Sequence, residues 1–300
     1  MKNSIKESLA WAEAQLLQSE IEESYSKSDA VVDASYLLSF ILQKNLTWLK
    51  TWPESELNLE QLEEFKSLIM RRQSGEPVAY ITGEKAFWTL LLETEPSTLI
   101  PRPETELLVE RALAYLNNKS QATILDLGTG TGAIALAIAA ERSSDFVYGC
   151  DYSSHAVALA KRNSERNGIK NVNFFQSNWY SNLENFVAKS TRHSSSFDLI
   201  VSNPPYVAAG DPHLSRGDLR YEPTSALVAE GNGLDDIRHI AKHAGNYLKK
   251  GGALMVEHGY DQAQAVARIF ADANFEQIET VKDYGNQDRV TCGVLQSCDI

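Results

Sequence analysis

Thr123-Ile124-Leu125-Asp126-Leu127-Gly128-Thr129-Gly130-Thr131-Gly132 reads as an apolar strand running into a glycine loop, with a helix expected after Thr131. Strand, tight turn and helix in that order place the loop at the carboxyl edge of a sheet, where its N–H groups are expected to be free for a ligand. The glycines stand at 128, 130 and 132; a dinucleotide fold would want its third at 133, where the chain has Ala133. The loop therefore suits a nucleoside better than a pyrophosphate. Asp151 ends the next strand 19 residues after Gly132, where an acid can accept hydrogen bonds from both ribose hydroxyls.

Working outward, strands and helices alternate. Residues 123–127, 146–150, 172–176, 197–202 and 253–257 read as strands, with helices around 156–166 and from Asp235. That order specifies an α/β fold with a doubly wound, mostly parallel seven-stranded sheet. Residues 275–281 and 289–295 read as two consecutive strands, so one antiparallel strand is expected near the end.

Upstream, apolar residues recur at three- and four-residue steps: Leu9, Ala12, Leu16; Val31, Ala34, Leu38, Ile41; Leu62, Phe65, Leu68, Ile69. The pattern predicts a smaller all-helical N-terminal domain over 1–77. Asn58 and Gln61 fit the cap and third position of a helix, Arg71 and Arg72 suit its negative end, and Gly75 and Pro77 stop it. Between Val78 and Pro103 the β-branched and aromatic residues, with Ala86-Phe87-Trp88 and Leu90-Leu91-Leu92, predict a β-hairpin linker over 78–103. Residues 104–300 then form the sheet domain.

Asn203-Pro204-Pro205-Tyr206 follows the strand 197–202. Two prolines cannot continue a ladder, so the backbone there is stiff and leaves carbonyls without secondary-structure partners. The Asn203 side-chain oxygen and the Pro204 carbonyl make two acceptors for the N–H bonds of a planar NH2 group, with Tyr206 expected on its flat face. Such a nitrogen is a poor nucleophile until its plane is fixed and its lone pair aimed.

With 43% hydrophobic residues in 300, the chain can bury a sizeable core, and its formal charge of −12 disfavours a nucleic-acid backbone as partner. Both halves share the deficit: 9 basic residues stand against 14 acidic through Leu90. The acidic runs Glu20 to Glu23 and Glu54 to Glu64 read as solvated faces, and Ser194 to Ser196 as an exposed loop. Cys150, Cys292 and Cys298 are too few and too irregular for a zinc site or a disulfide framework, which suits a reducing compartment. No segment reads as a signal peptide or a membrane span, so a cytoplasmic protein is expected. His239 and His243 have ligand spacing but no third partner, so no metal is expected.

Asp126 to Gly132, Asp151 and Asn203 to Tyr206 together resemble the motifs of S-adenosylmethionine-dependent amino-group methyltransferases. Ile100-Pro101-Arg102-Pro103-Glu104-Thr105-Glu106 and Gly217-Asp218-Leu219-Arg220-Tyr221-Glu222-Pro223 narrow the resemblance to the HemK/PrmC group, the release factor glutamine N5-methyltransferases. It covers nearly the whole chain and implies methyl transfer from S-adenosylmethionine, leaving S-adenosylhomocysteine, to the glutamine of the Gly-Gly-Gln loop of class I peptide chain release factors.

By position, the resemblance implies that Asp126, Gly128, Thr129, Gly130, Thr131, Gly132, Asp151, Trp179 and Asn203 bind the cofactor, Trp179 packing on adenine. Asn203, Pro204, Pro205 and Tyr206 would form the catalytic corner. One departure is visible: the group commonly has an acid before the aromatic residue, and this chain has Asn178. Glu104 either reaches the cofactor end of the cleft or begins the helix 104–116. The N-terminal domain would recognise the substrate, and the chain is expected to act as a monomer without nucleic acid. A DNA adenine or RNA guanine methyltransferase would use the same cradle, and a non-catalytic adaptor would need neither motif. The residue at 133 disfavours a nicotinamide oxidoreductase.

Overall fold

A computed structural model describes residues 3–18, 25–187, 196–215 and 217–296. The acidic run at 20–23, the first two serines of the patch at 194–196 and Cys298 lie outside these residues. The chain forms two compact units, one of residues 1–84 with 212–221 and one of residues 85–211 with 222–300.

The larger unit is built on seven strands: β1 (Thr123–Leu127), β2 (Phe146–Asp151), β3 (Val172–Gln176), β4 (Phe197–Ser202), β5 (Leu248–Glu257), β6 (Phe275–Lys282) and β7 (Asp288–Leu295). Their order in the sheet is β6-β7-β5-β4-β1-β2-β3. Only β7 is antiparallel to its neighbours, so the fold expected from the sequence is the one formed. The central strand β1 is buried at every position, as a strand covered on both faces must be. Successive side chains serve opposite cores: Ile124, Leu199 and Val201 pack with helix Ala133–Glu141, while Leu125, Leu127 and Ile200 pack with helix Asp235–Ala244.

β5 begins five residues ahead of the expected start. Leu248 pairs with Phe197, and the register shifts before Ala253 pairs with Leu199. Gly251, at φ +69°, sits in that irregularity, so the Lys-Lys-Gly-Gly stretch ahead of the expected strand is a bulge within it.

Two short strands, Glu84–Phe87 and Leu90–Glu93, form the expected hairpin, with Trp88 at φ +55° in its turn. It does not fill 78–103. Val78–Thr82 is a helical turn that ends at Gly83, φ +72°. Asn163, fully buried, joins the hairpin to the glycine loop: it accepts from the Glu93 N–H at 2.6 Å and donates to the Glu93 and Thr131 carbonyls.

The smaller unit packs helices Ile5–Leu16, Lys27–Leu42, Leu46–Thr51, Leu59–Gln73 and Val78–Thr82 around Ala12, Leu16, Ala34, Leu38, Phe65 and Ile69. Asn58 and Gln61 form the expected reciprocal cap. Arg72 does more than face the helix dipole. Its side chain is 6% exposed, donates to Asp33 at 2.7 Å and Asp218 at 2.8 Å, and lies over the Tyr25 ring. Through Asp218 it holds the segment 212–221 within this unit, where Arg220 and Tyr221 also donate to the Ser74 carbonyl.

Arg72→Met leaves two acids without their shared cation. Because both acids keep some solvent, the expected loss is about 2 kcal/mol, below the cost of breaking a fully buried pair. Arg72→Lys does not restore it, since one ammonium cannot fork to both carboxylates. Thermal unfolding checks this: a wild-type midpoint in both variants would contradict the clamp.

Candidate active site

Strand register puts the chemistry in one row. Leu127 pairs with Cys150 and Ser202, and Asp151 with Gln176, so Gly128, Asp151 and Asn203 stand at one level of the sheet's carboxyl edge, with Ser177 one residue further on. A cleft of about 300 Å³ opens there, the size of a small-molecule site.

Gly128, Gly130 and Gly132 have φ of +72°, +53° and +84°, the left-handed region that glycine enters without strain. The loop's donors are spent internally. Gly128 and Thr129 N–H both reach the Cys150 carbonyl at 2.9 Å, Gly130 N–H reaches Asp151 at 2.9 Å, and Gly132 N–H reaches the Thr129 carbonyl at 2.8 Å. The free N–H groups expected from the sequence are therefore absent at these positions. With four of its five N–H groups spent internally, the loop has less to offer a phosphate, which fits the nucleoside reading.

Gly128, Thr129, Gly130, Thr131, Asp151, Trp179, Asn203 and Pro205 line the cleft; Asp126, Gly132, Pro204 and Tyr206 do not. Asp126 is fully buried behind the loop, accepts from the Thr129 hydroxyl at 2.6 Å and the Ala135 N–H at 3.3 Å, and is pushed by burial up to about 7. Gly132 opens helix Ala133–Glu141, where a Cβ would press on Ala160 and Leu136 at 3.1 Å. Tyr206, expected over a planar substrate group, instead turns its hydroxyl to Glu257 at 3.4 Å.

Asp151 accepts from the Gly130 and Ser153 N–H groups, each at 2.9 Å, and burial raises its pKa. Each oxygen keeps a lone pair for another donor. Asp236 lines the cleft as well, and burial raises its pKa. Sequence reading missed it, because an acid in the first turn of a helix signals only the helix. Two carboxylates lining the cleft suit a ligand that carries positive charge.

Arg102 lines the same cleft and pairs with the buried Glu222, so the two motifs flanking the corner meet. Glu104 is exposed and off the cleft; Thr105 is the member of its segment that lines it. Asn203 donates through Nδ2 to the Thr105 hydroxyl at 3.1 Å. Asn178 lines the cleft beside Trp179. His239 and His243 pack against Tyr180, and no metal-holding group of three His, Cys, Asp or Glu occurs among the described residues. His258 is buried between the Gly259 carbonyl and the Thr291 hydroxyl, each at 2.8 Å. Among the described residues no helix is long and apolar enough to cross a membrane.

Comparison with known proteins identifies the two parts of the chain. Residues 7–83 match the family described as PrmC N-terminal domain, and residues 118–294 match a methyltransferase domain. The release factor glutamine methyltransferase of Vibrio cholerae is 50% identical over 91% of this chain and 92% of its own length. Those of Aliivibrio fischeri and Escherichia coli are 49% and 45% identical over 87% of this chain, and 89% and 91% of their own lengths. Among solved structures, the hMettl16 catalytic domain in complex with an RNA hairpin has a TM-score of 0.58 at 14% identity, covering 89% of this chain and 92% of its own. A methyltransferase from Pyrococcus furiosus has a TM-score of 0.50 at 17% identity, covering 77% of this chain and 98% of its own. These two likenesses are of fold.

The buried Asp126 has a measurable consequence. Its raised pKa means that the folded state holds the proton to higher pH than the unfolded chain, whose Asp titrates near about 4. Its ionisation therefore costs stability as pH rises from about 4 through 7. In cofactor-free protein, Asp126→Asn should gain urea stability relative to wild type as pH rises from about 5 to about 8. A gain that shrinks over that range would contradict the burial described.

Proposed function

The chain belongs to the release factor glutamine methyltransferase family, and from that membership we propose its activity and its division of labour. It transfers a methyl group from S-adenosylmethionine to the side-chain amide nitrogen (N5) of the glutamine in the Gly-Gly-Gln loop of class I peptide chain release factors, and so serves translation termination. The observation that carries this reading is Asn203, an amide held at the end of β4 beside a cleft that Asp151 and Asp236 also line.

The bound cofactor supplies an electrophilic methyl group on a positively charged sulfur. The residues present fit it: Gly128 to Thr131 form a close wall, Asp151 has acceptors for ribose hydroxyls, and Trp179 offers a flat face for adenine. Asp126 supports the loop from behind. Asn203 Oδ1 and the Pro204 carbonyl accept the two N–H bonds of the substrate amide, fix its plane and aim the nitrogen. Pro204 and Pro205 keep that carbonyl from moving, since neither residue has a free φ. The methylated nitrogen is acidic enough to lose its proton without a strong base.

The helical unit, 1–84 with 212–221, recognises the release factor in this reading. The charge of −12 fits a protein rather than a nucleic-acid acceptor. A cytoplasmic monomer is the form proposed, since release factors act on cytoplasmic ribosomes.

Labelled S-adenosylmethionine incubated with a purified release factor, its Gly-Gly-Gln glutamine→Ala variant, DNA and ribosomal RNA tests the substrate. Label should appear on the intact factor alone, and label on nucleic acid would overturn the assignment. Asn203→Ala should hold cofactor within about threefold of wild type while losing turnover by about 100-fold. Undiminished turnover would remove the role given to Asn203.

A further inference from the structure

The rings of Pro204 and Pro205 fix φ at both residues and restrict Asn203 before them, but neither ring fixes ψ at Pro205. A stiff corner therefore stays in place only if its exit is held. Its entry is held by the Ser202 hydroxyl, which donates to the Leu127 carbonyl at 2.7 Å. At the exit, the Tyr206–Val207 peptide is held on both edges. The Val207 N–H donates to the Leu227 carbonyl at 2.9 Å, and the Tyr206 carbonyl accepts from Gln262 Nε2 at 3.0 Å.

Gln262 stands at the N-terminal cap of helix Ala263–Asp272, yet its side chain caps nothing in that helix. Both of its N–H bonds and its oxygen are engaged by other backbone groups. One N–H goes to Tyr206 and the other to the Asn232 carbonyl at 3.2 Å, while Oε1 accepts from the Gly259 N–H at 2.8 Å. These partners decide which way the amide points, because a flip would set Oε1 against two carbonyl oxygens. The facing turn is shaped to admit the Tyr206 carbonyl: Gly233 has φ +77°, and a Cβ there would lie 2.0 Å from that oxygen. The corner, the turn at 231–233 and the start of the helix thus close around one peptide.

We propose that Gln262 is a positioning residue for methyl transfer, which pins the Tyr206 carbonyl and so holds the Pro204 carbonyl and Asn203 where they meet the substrate amide. The inference rests on the reading of that corner as the amide cradle given above. Gln262 itself does not line the cleft. Loss of the pin lets Pro205 turn about ψ, and the two acceptors then drift from a common plane. Misplacement by about 1 Å costs up to about 100-fold in rate. The glycine loop, Asp151 and Trp179 follow other strands, so cofactor binding is expected to persist.

Three variants of the full chain separate the pin from a merely structural role. Gln262→Glu keeps the acceptor for Gly259 but sets an oxygen against both carbonyls, Gln262→Met removes every polar contact, and Gln262→Lys restores donors without the acceptor. A role confined to holding Gly259 would leave Gln262→Glu more active than Gln262→Lys; the pin requires the reverse. With release factor, Gln262→Glu and Gln262→Met should lose kcat by about tenfold or more, and Gln262→Lys should stay within about fivefold of wild type. Cofactor affinity by calorimetry should stay within about threefold in all three. Tyr206-Val207 is the one Tyr-Val pair in the chain, so protein labelled with carbonyl-13C tyrosine and 15N-valine gives a single carbonyl-to-amide correlation. Its carbonyl shift should move in Gln262→Glu and Gln262→Met and return toward wild type in Gln262→Lys. An unmoved carbonyl shift or wild-type kcat in Gln262→Met, or a higher kcat in Gln262→Glu than in Gln262→Lys, would overturn the pin. Should Gln262→Met fail to fold, the other two variants decide. Should wild type methylate no release factor, the functional reading fails, and the carbonyl shift still decides the pin.

Discussion

The parallel register of β1 against β2 and β4 is the constraint on which the site depends. Because Leu127 stands level with both Cys150 and Ser202, the next residue of each strand, Gly128, Asp151 and Asn203, reaches the edge together. A slip of one residue would turn every side chain to the other face of a sheet that is buried on both. Gly149 keeps this edge tight: a Cβ there would meet the Phe174 ring at 2.5 Å and the Thr129 hydroxyl at 2.9 Å. The bare backbone of β2 lets the loop and β3 close against it.

Under that edge lie two buried acids with parallel roles. Asp126 holds Thr129 and the start of helix Ala133–Glu141; Glu257 accepts from the Tyr206 hydroxyl. Each is pushed by burial up to about 7, and each has one oxygen without a partner. Both sacrifice stability to hold neighbouring polar groups in one orientation, the usual exchange beneath a functional site. Neither touches the cleft, so each acts through the residue it holds.

Strands read from the sequence at 123–127, 172–176 and 197–202 coincide with those formed, because short apolar runs bounded by turn residues have few other ways to be buried. That the glycine loop, Asp151 and Asn203 line one cleft was legible for a related reason, since each sits at a strand end, whereas Trp179 came only from the family resemblance. Thr105, Asp236 and Glu257 were not legible. Their roles depend on which side chain faces them from another element, and Glu257-His258 reads only as a polar strand end. The N–H groups of the glycine loop were misjudged likewise, since their acceptor, the Cys150 carbonyl, belongs to the neighbouring strand. Arg72 had a local signal at a helix end, while its partners Asp33 and Asp218 lie 39 and 146 residues away.

The central claim is that a fixed Asn203 oxygen and a proline-stiffened carbonyl hold a glutamine amide by its two N–H bonds. A structure of the chain with S-adenosylhomocysteine and a Gly-Gly-Gln peptide tests it most directly. The account predicts the glutamine nitrogen within hydrogen-bond reach of Asn203 Oδ1 and the Pro204 carbonyl, facing the cofactor sulfur. A glutamine amide bound elsewhere, or one that meets the Asn203 NH2, would contradict it.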